Sequence, residues 1–123
     1  MFETEEQKER IILVAVATAD GDDTEQSLDE LEELGQTAGA VTVAKVIQNR
    51  EKVHAGTYVG KGKIEEIKNL AISLDADTVV CDDELSPAQY HNLQDALEIK
   101  VIDRTVMILD IFAKRASTSE GKL

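Results

Sequence analysis

Residues Ile11 to Thr18 read IILVAVAT, an unbroken apolar run of strand length, and no other stretch limits the fold so tightly. A strand with one wet face alternates apolar and polar residues, whereas a run apolar throughout belongs to a strand covered on both faces. Three further segments read as strands. Ala40 to Ile47 (AVTVAKVI) is rich in β-branched residues, and Thr78 to Cys81 and Ile99 to Ile102 are shorter apolar pieces.

Helical patterns separate these runs. Ser27 followed by Glu30 has capping-box spacing. Leu28, Leu31, Leu34 and Ala38 then fall on one face, Asp29, Glu30, Glu32 and Glu33 on the other, and Gly39 ends the helix. Ser86 and Gln89 form a second capping box with Pro87 at the first helical position, and Tyr90, Leu93 and Leu97 supply its inner face. After Asp103-Arg-Thr105 comes a last apolar helix with Val106, Leu109, Phe112, Ala113 and Ala116. The order is βαβαβαβα. Right-handed crossovers then predict an α/β fold with a four-stranded parallel sheet in the order 2-1-3-4 and helices on both faces. Its ligand-accessible loops lie at the carboxyl ends of the first and third strands.

The remaining helix opens with a glycine-rich turn, Gly56-Thr-Tyr-Val-Gly-Lys-Gly-Lys63, and buries Ile64, Ile67, Ala71 and Leu74. Gly60 and Gly62 fit a turn that needs positive φ or bare backbone. Lys61 and Lys63 sit at the positive end of the helix dipole, at a cost of a few tenths to roughly 1 kcal/mol. Glu65 and Glu66, placed in the first turn, offset part of it, and a bound phosphate would offset the rest. Two readings stand: an anion site at Gly60, Lys61, Gly62 and Lys63, or a glycine cap with two solvated lysines. The turn is not a Walker loop, because five residues separate Gly56 from Gly62 and Ile64 replaces the Mg²⁺-binding hydroxyl.

Charge sharpens the contrast. The net charge of −12 conceals a division: residues 1–40 hold 12 acids and 2 bases, 71–123 hold 10 acids and 5 bases, and 41–70 hold 6 bases and 3 acids. So acidic a surface excludes nucleic-acid binding over the whole molecule, but leaves a local basic patch free to meet phosphate. Asp20, Asp22 and Asp23 after the first strand would neighbour Asp82, Asp83 and Glu84 after the third. Such a cluster suits Mg²⁺, or is simply solvated loop acid. Phosphate-accepting receiver domains resemble this layout, but their fifth strand with its lysine is missing here. His54 and His91 have no metal-ligand spacing, and no catalytic set is evident. The single cysteine, Cys81, lies in an apolar run and fits a reducing cytosolic compartment. No apolar run approaches the roughly 20 residues of a membrane span.

Residues 1–10 read as a flexible acidic lead-in and 11–123 as one domain. Ser117 to Leu123 offers no clear stop, and Ile111, Phe112 and Ala116 lie on a helix with little left to cover it. A fragment is therefore expected, ending in a helix that leads to a missing segment.

Several stretches together resemble one family. They are Thr37-Ala-Gly-Ala40, Tyr58-Val-Gly-Lys-Gly-Lys63, Asp82-Asp-Glu-Leu-Ser-Pro-Ala-Gln89 with Asn92-Leu93, and Asp103-Arg-Thr105 through Asp110-Ile-Phe-Ala113, Arg115-Ala116 and Glu120-Gly-Lys-Leu123. In order and spacing they are similar to the N-terminal domain of the HflX-type GTPases. That resemblance implies a cytoplasmic, non-catalytic accessory domain of a protein that associates with the large ribosomal subunit and helps split or rescue ribosomes. It places GTP, Mg²⁺ and the Walker lysine in a later GTPase domain, which would be a partner of this one, and makes Asp103, Arg104 and Thr105 an inter-domain hinge. An ATP-binding role for the Gly60–Lys63 turn is the alternative it raises, with rRNA as the other partner for the basic patch.

Overall fold

The computed structural model describes residues 8–18 and 23–121, the side chains of Phe112 and residues 114–121 excepted. Asp20, Asp22, most of the acidic lead-in and the last two residues lie outside the described residues. Four strands alternate with four helices: β1 (Glu9–Ala17), α1 (Thr24–Thr37), β2 (Ala40–Asn49), α2 (Lys61–Leu74), β3 (Thr78–Cys81), α3 (Pro87–Leu97), β4 (Lys100–Asp103) and α4 (Arg104–Gly121). The sheet is parallel throughout, in the order β2-β1-β3-β4. Fold class and strand order are those read from the apolar runs.

β1 explains why. Its residues Ile11 to Val16 are at most 7% exposed, and they divide alternately between two layers. Ile11, Leu13 and Ala15 pack with Leu28 and Leu31 of α1 and Met107 of α4. Ile12, Val14 and Val16 pack with Ile64, Ile67 and Ala71 of α2 and Leu93 and Leu97 of α3. A helix layer on each face leaves no wet side, so no polar residue interrupts the run. β1 also begins two residues earlier than the apolar run, with Glu9 opposite Ala40. Arg10 fixes that end, its backbone N–H donating to Asp77 and its Nε to the Leu74 carbonyl.

Three local expectations are corrected. The first helix starts at Thr24, not after Ser27, and its N-cap Asp23 makes no side-chain cap bond. Ser27 is drawn instead into long-range hydrogen bonds, which outcompete a local cap. Gly62 lies within the first turn of α2 with ordinary φ, and Glu65 and Glu66 fall beyond that turn, which contains no acid. On α4 the buried residue is Met107, and Ile111 packs against the α1 layer, so it is not left uncovered. Val106 and Leu109 are 37% and 60% exposed. The apolar residues of α4 therefore occupy two faces, and only one meets the sheet. Ser86, Gln89 and Pro87 form the expected capping box.

Candidate functional site

In the order 2-1-3-4 the connections after β1 and β3 leave toward opposite faces, and this switch point is where open α/β sheets offer a crevice. Here the carboxyl edge of the sheet carries two neighbouring features, one basic and one acidic.

The basic feature is the start of α2. Gly60 is the N-cap in extended conformation, and α2 has no side-chain cap. The Gly60 N–H donates to Gln48 Oε1 at 2.8 Å. A Cβ at position 60 would stand 2.9 Å from the Arg50 guanidinium and 3.3 Å from the Gln48 amide, so the bare backbone lets both approach. A Cβ at Gly62 would meet nothing within 4 Å, so packing does not require glycine there. Lys61 is exposed, and Lys63 pairs with Glu66 at 3.0 Å. Arg50 and Lys52 join these lysines at the same edge, Arg50 Nε donating to the Lys52 carbonyl at 3.1 Å. Sequence reasoning missed Arg50 and Gln48, which lie ten and twelve positions before Gly60 with no motif to connect them.

The left-handed residue of this segment is not a glycine but Tyr58, at φ 68°. A side chain there costs roughly 1–2 kcal/mol. Burial offsets it: Tyr58 is 1% exposed, and its hydroxyl donates to Asp83 Oδ2 at 2.7 Å. Burial, then the hydrogen bond and negative charge of Asp83, push the phenol's ionisation far up, so Tyr58 stays a neutral donor. α3 grips the same loop. Gln89 Nε2 donates to the His54 carbonyl at 2.8 Å and Asn92 Nδ2 to the Gly56 carbonyl at 2.9 Å.

The acidic feature is a cleft of about 440 Å³ lined by Val16, Asp23, Ser27, Val53, Asp82 and Asp83 among others. Its carboxylates are engaged by protein groups. Asp82 accepts from Arg104 Nη2 at 2.6 Å and from Ser27 Oγ at 2.7 Å. The same Arg104 nitrogen donates to the Ser27 carbonyl at 2.9 Å and to Ser27 Oγ at 3.0 Å. Asp103 is 2% exposed and accepts from the backbone N–H groups of Leu85 and Val106, the second capping α4. Thr105 beside it is exposed. Among the described residues no three His, Cys, Asp or Glu side chains are grouped to hold a metal ion. Burial, and then the charges of Asp103, Asp83 and Asp82, push the Cys81 thiol up, which keeps it neutral and unreactive. No helix among the described residues is long and apolar enough to cross a membrane.

Comparison with known proteins adds what this geometry cannot. The profile of the family described as GTP-binding GTPase N-terminal matches residues 25–113. The chain is 65% identical over 123 residues to GTPase HflX of Lacrimispora saccharolytica, covering 100% of this chain and 29% of that protein. To GTPase HflX of Escherichia coli it is 41% identical, again covering 100% of this chain and 29% of the relative. It thus spans less than a third of the length of these curated relatives. Among solved structures it is similar to SsGBP in complex with GDP, with a TM-score of 0.63 and 21% identity over 85% of this chain and 29% of that one. A GTP-binding protein of Sulfolobus solfataricus in complex with GDP gives 0.57 and 18% over 83% and 30%. At these identities the structural matches establish the fold alone.

Proposed function

The chain belongs to the GTP-binding GTPase N-terminal family, as the N-terminal domain of an HflX-type GTPase, and on that premise we propose that it is a recognition and accessory module without nucleotide chemistry of its own. The observation that carries this reading is the match along the entire chain to a segment of proteins named GTPase, in a sequence that has no Walker pattern. GTP and Mg²⁺ belong to the remainder of the longer protein, and nothing in Gly56–Lys63 fits them: the Mg²⁺-binding hydroxyl is replaced by Ile64. In the cytoplasm the whole protein associates with the large ribosomal subunit and helps to split or rescue ribosomes. This domain contributes contact and orientation to its GTPase partner.

The contact with rRNA falls to the carboxyl edge, where Arg50, Lys52, Lys61 and Lys63 face outward from an otherwise acidic chain. Phosphate meets a guanidinium, two ammonium groups and an uncapped helix start there, and Coulomb attraction needs no base-specific geometry. Asp103, Arg104 and Thr105 form the root of α4, the joint through which the domain moves with its neighbour. A second reading, an ATP or phosphate sensor at Gly60–Lys63, is favoured by the bare Gly60 backbone beside Arg50.

Two measurements test this. The purified chain with GTP and Mg²⁺ releases phosphate no faster than buffer; release above that background overturns the non-catalytic reading. Co-sedimentation of the full-length protein with large subunits weakens several-fold in a Lys61→Ala/Lys63→Ala variant and loses part of its salt dependence. Unchanged sedimentation removes the site. Calorimetry with ATP on the same variant separates the sensor reading, which requires heat from the parent protein and none from the variant.

A further inference from the structure

We propose that His54 is a proton-sensitive latch: its neutral imidazole holds the loop from His54 to Tyr58 closed, and protonation of the ring releases it. Reciprocal backbone hydrogen bonds close the loop, His54 N–H to the Tyr58 carbonyl at 3.0 Å and Tyr58 N–H to the His54 carbonyl at 2.8 Å. Inside it, His54 Nδ1 accepts from the N–H groups of Gly56 at 3.0 Å and Thr57 at 3.2 Å. A backbone N–H can only donate, so Nδ1 must carry its lone pair and the ring proton must sit on Nε2. The imidazole does what an aspartate or asparagine side chain does in an Asx turn, but with an acceptor that titrates.

Protonation exchanges that acceptor for a donor. The Thr57 hydroxyl is 3.2 Å from Nδ1 and passes its own hydrogen to the Val59 carbonyl at 2.8 Å. A proton on Nδ1 can therefore turn to Thr57 Oγ1, gaining one hydrogen bond while the two backbone N–H groups lose theirs. The balance favours opening. What opens is a loop that already holds Tyr58 in the left-handed region, so the lost bonds are those that keep a strained residue in place.

The charged and titratable groups around the ring are few. α3 contributes uncharged Gln89 and Asn92 at the loop, with His91 adjacent and Asp95 one turn further along. The loop after β3 contributes Asp83, taken up by the Tyr58 hydroxyl, and the approach to the loop contributes Arg50, Glu51 and Lys52. None of the ion pairs among the described residues includes His54. The device is independent of whether an anion binds nearby. Because the loop sets the position of Gly60, though, its opening displaces the start of α2.

Nuclear magnetic resonance on the isotopically labelled 123-residue chain tests the latch. At neutral pH, long-range proton–nitrogen correlations should place the ring proton of His54 on Nε2. Between about pH 7.5 and pH 5.5, the range in which histidine changes charge, solvent exchange of the Gly56 and Thr57 amides, corrected for its intrinsic pH dependence, should rise about ten-fold, the loss of two ordinary hydrogen bonds. Leu13 in β1 should not respond. His54→Asn supplies an acceptor that does not titrate and should keep both amides slow at both pH values, whereas His54→Phe should leave them fast at both. A proton on Nδ1 at neutral pH overturns the proposal. So do corrected exchange rates that are equal at the two pH values, or a His54→Asn chain that keeps the full pH response.

Discussion

Tyr58 and Tyr90 are the only tyrosines, and the same hydroxyl has opposite consequences in the two places. At Tyr58 it donates to Asp83; at Tyr90 it is buried without a hydrogen-bond partner. Tyr58→Phe should lower stability by about 1 kcal/mol, since Asp83 loses a donor and the left-handed backbone loses a tether. Tyr90→Phe removes a desolvated, unsatisfied group and should leave stability unchanged or raise it by up to about 1 kcal/mol. Urea unfolding of both variants decides between these roles, and equal losses from the two would refute the distinction. Neither tyrosine's circumstance can be read from its neighbours in the chain, because Asp83 is 25 positions from Tyr58.

At the level of elements, Arg104 joins three of them. It stands at the first residue of α4 and reaches the loop after β3 at Asp82 and the first turns of α1 at Ser27. The Asp82 side chain is only 9% exposed, so removing its cation leaves a nearly buried carboxylate alone. Arg104→Met should therefore cost about 2–3 kcal/mol, somewhat less than a fully buried pair because Arg104 keeps some solvent contact. Adding Asp82→Asn should recover part of that loss; a double variant no more stable than Arg104→Met would show the pair contributes nothing beyond packing. The same bonds tie the root of α4 to the sheet. If Asp103–Thr105 is the joint of the longer protein, it then transmits motion more than it absorbs it.

For the whole molecule, three groups that ionise in an unfolded chain stay protonated in the folded one. Burial dominates at Tyr58, Cys81 and Tyr90, and at Tyr90 the nearby Asp103 charge adds to it. Their ordinary values are 10.0 for a phenol and 9.0 for a thiol. Above those values the unfolded state has released protons that the folded state retains, so the folded state binds more. Stability then falls as pH rises, by up to about 1.4 kcal/mol per pH unit for each fully buried group. Alkaline titration should accordingly show phenolate absorbance appearing together with loss of helical signal. Phenolate absorbance near the ordinary tyrosine range with the helical signal intact would contradict the assigned burial.

The strand order, the parallel sheet, the Ser86–Gln89 cap and the family itself were legible in the residues. Each rests on a short-range pattern: an apolar run covered on both faces, a helical period, a hydroxyl three positions from its partner. Tertiary structure alone decided that Ser27 leaves its expected cap for Asp82 and Arg104, 55 and 77 positions away. It also decided that Tyr58 and not Gly62 takes the left-handed turn, that Arg50 and Gln48 stand over Gly60, and that Met107 is the residue α4 buries. Those outcomes depend on which groups the fold brings within hydrogen-bond reach. Local periodicity carries no information about that, because the competing long-range partner is invisible until the sheet has closed.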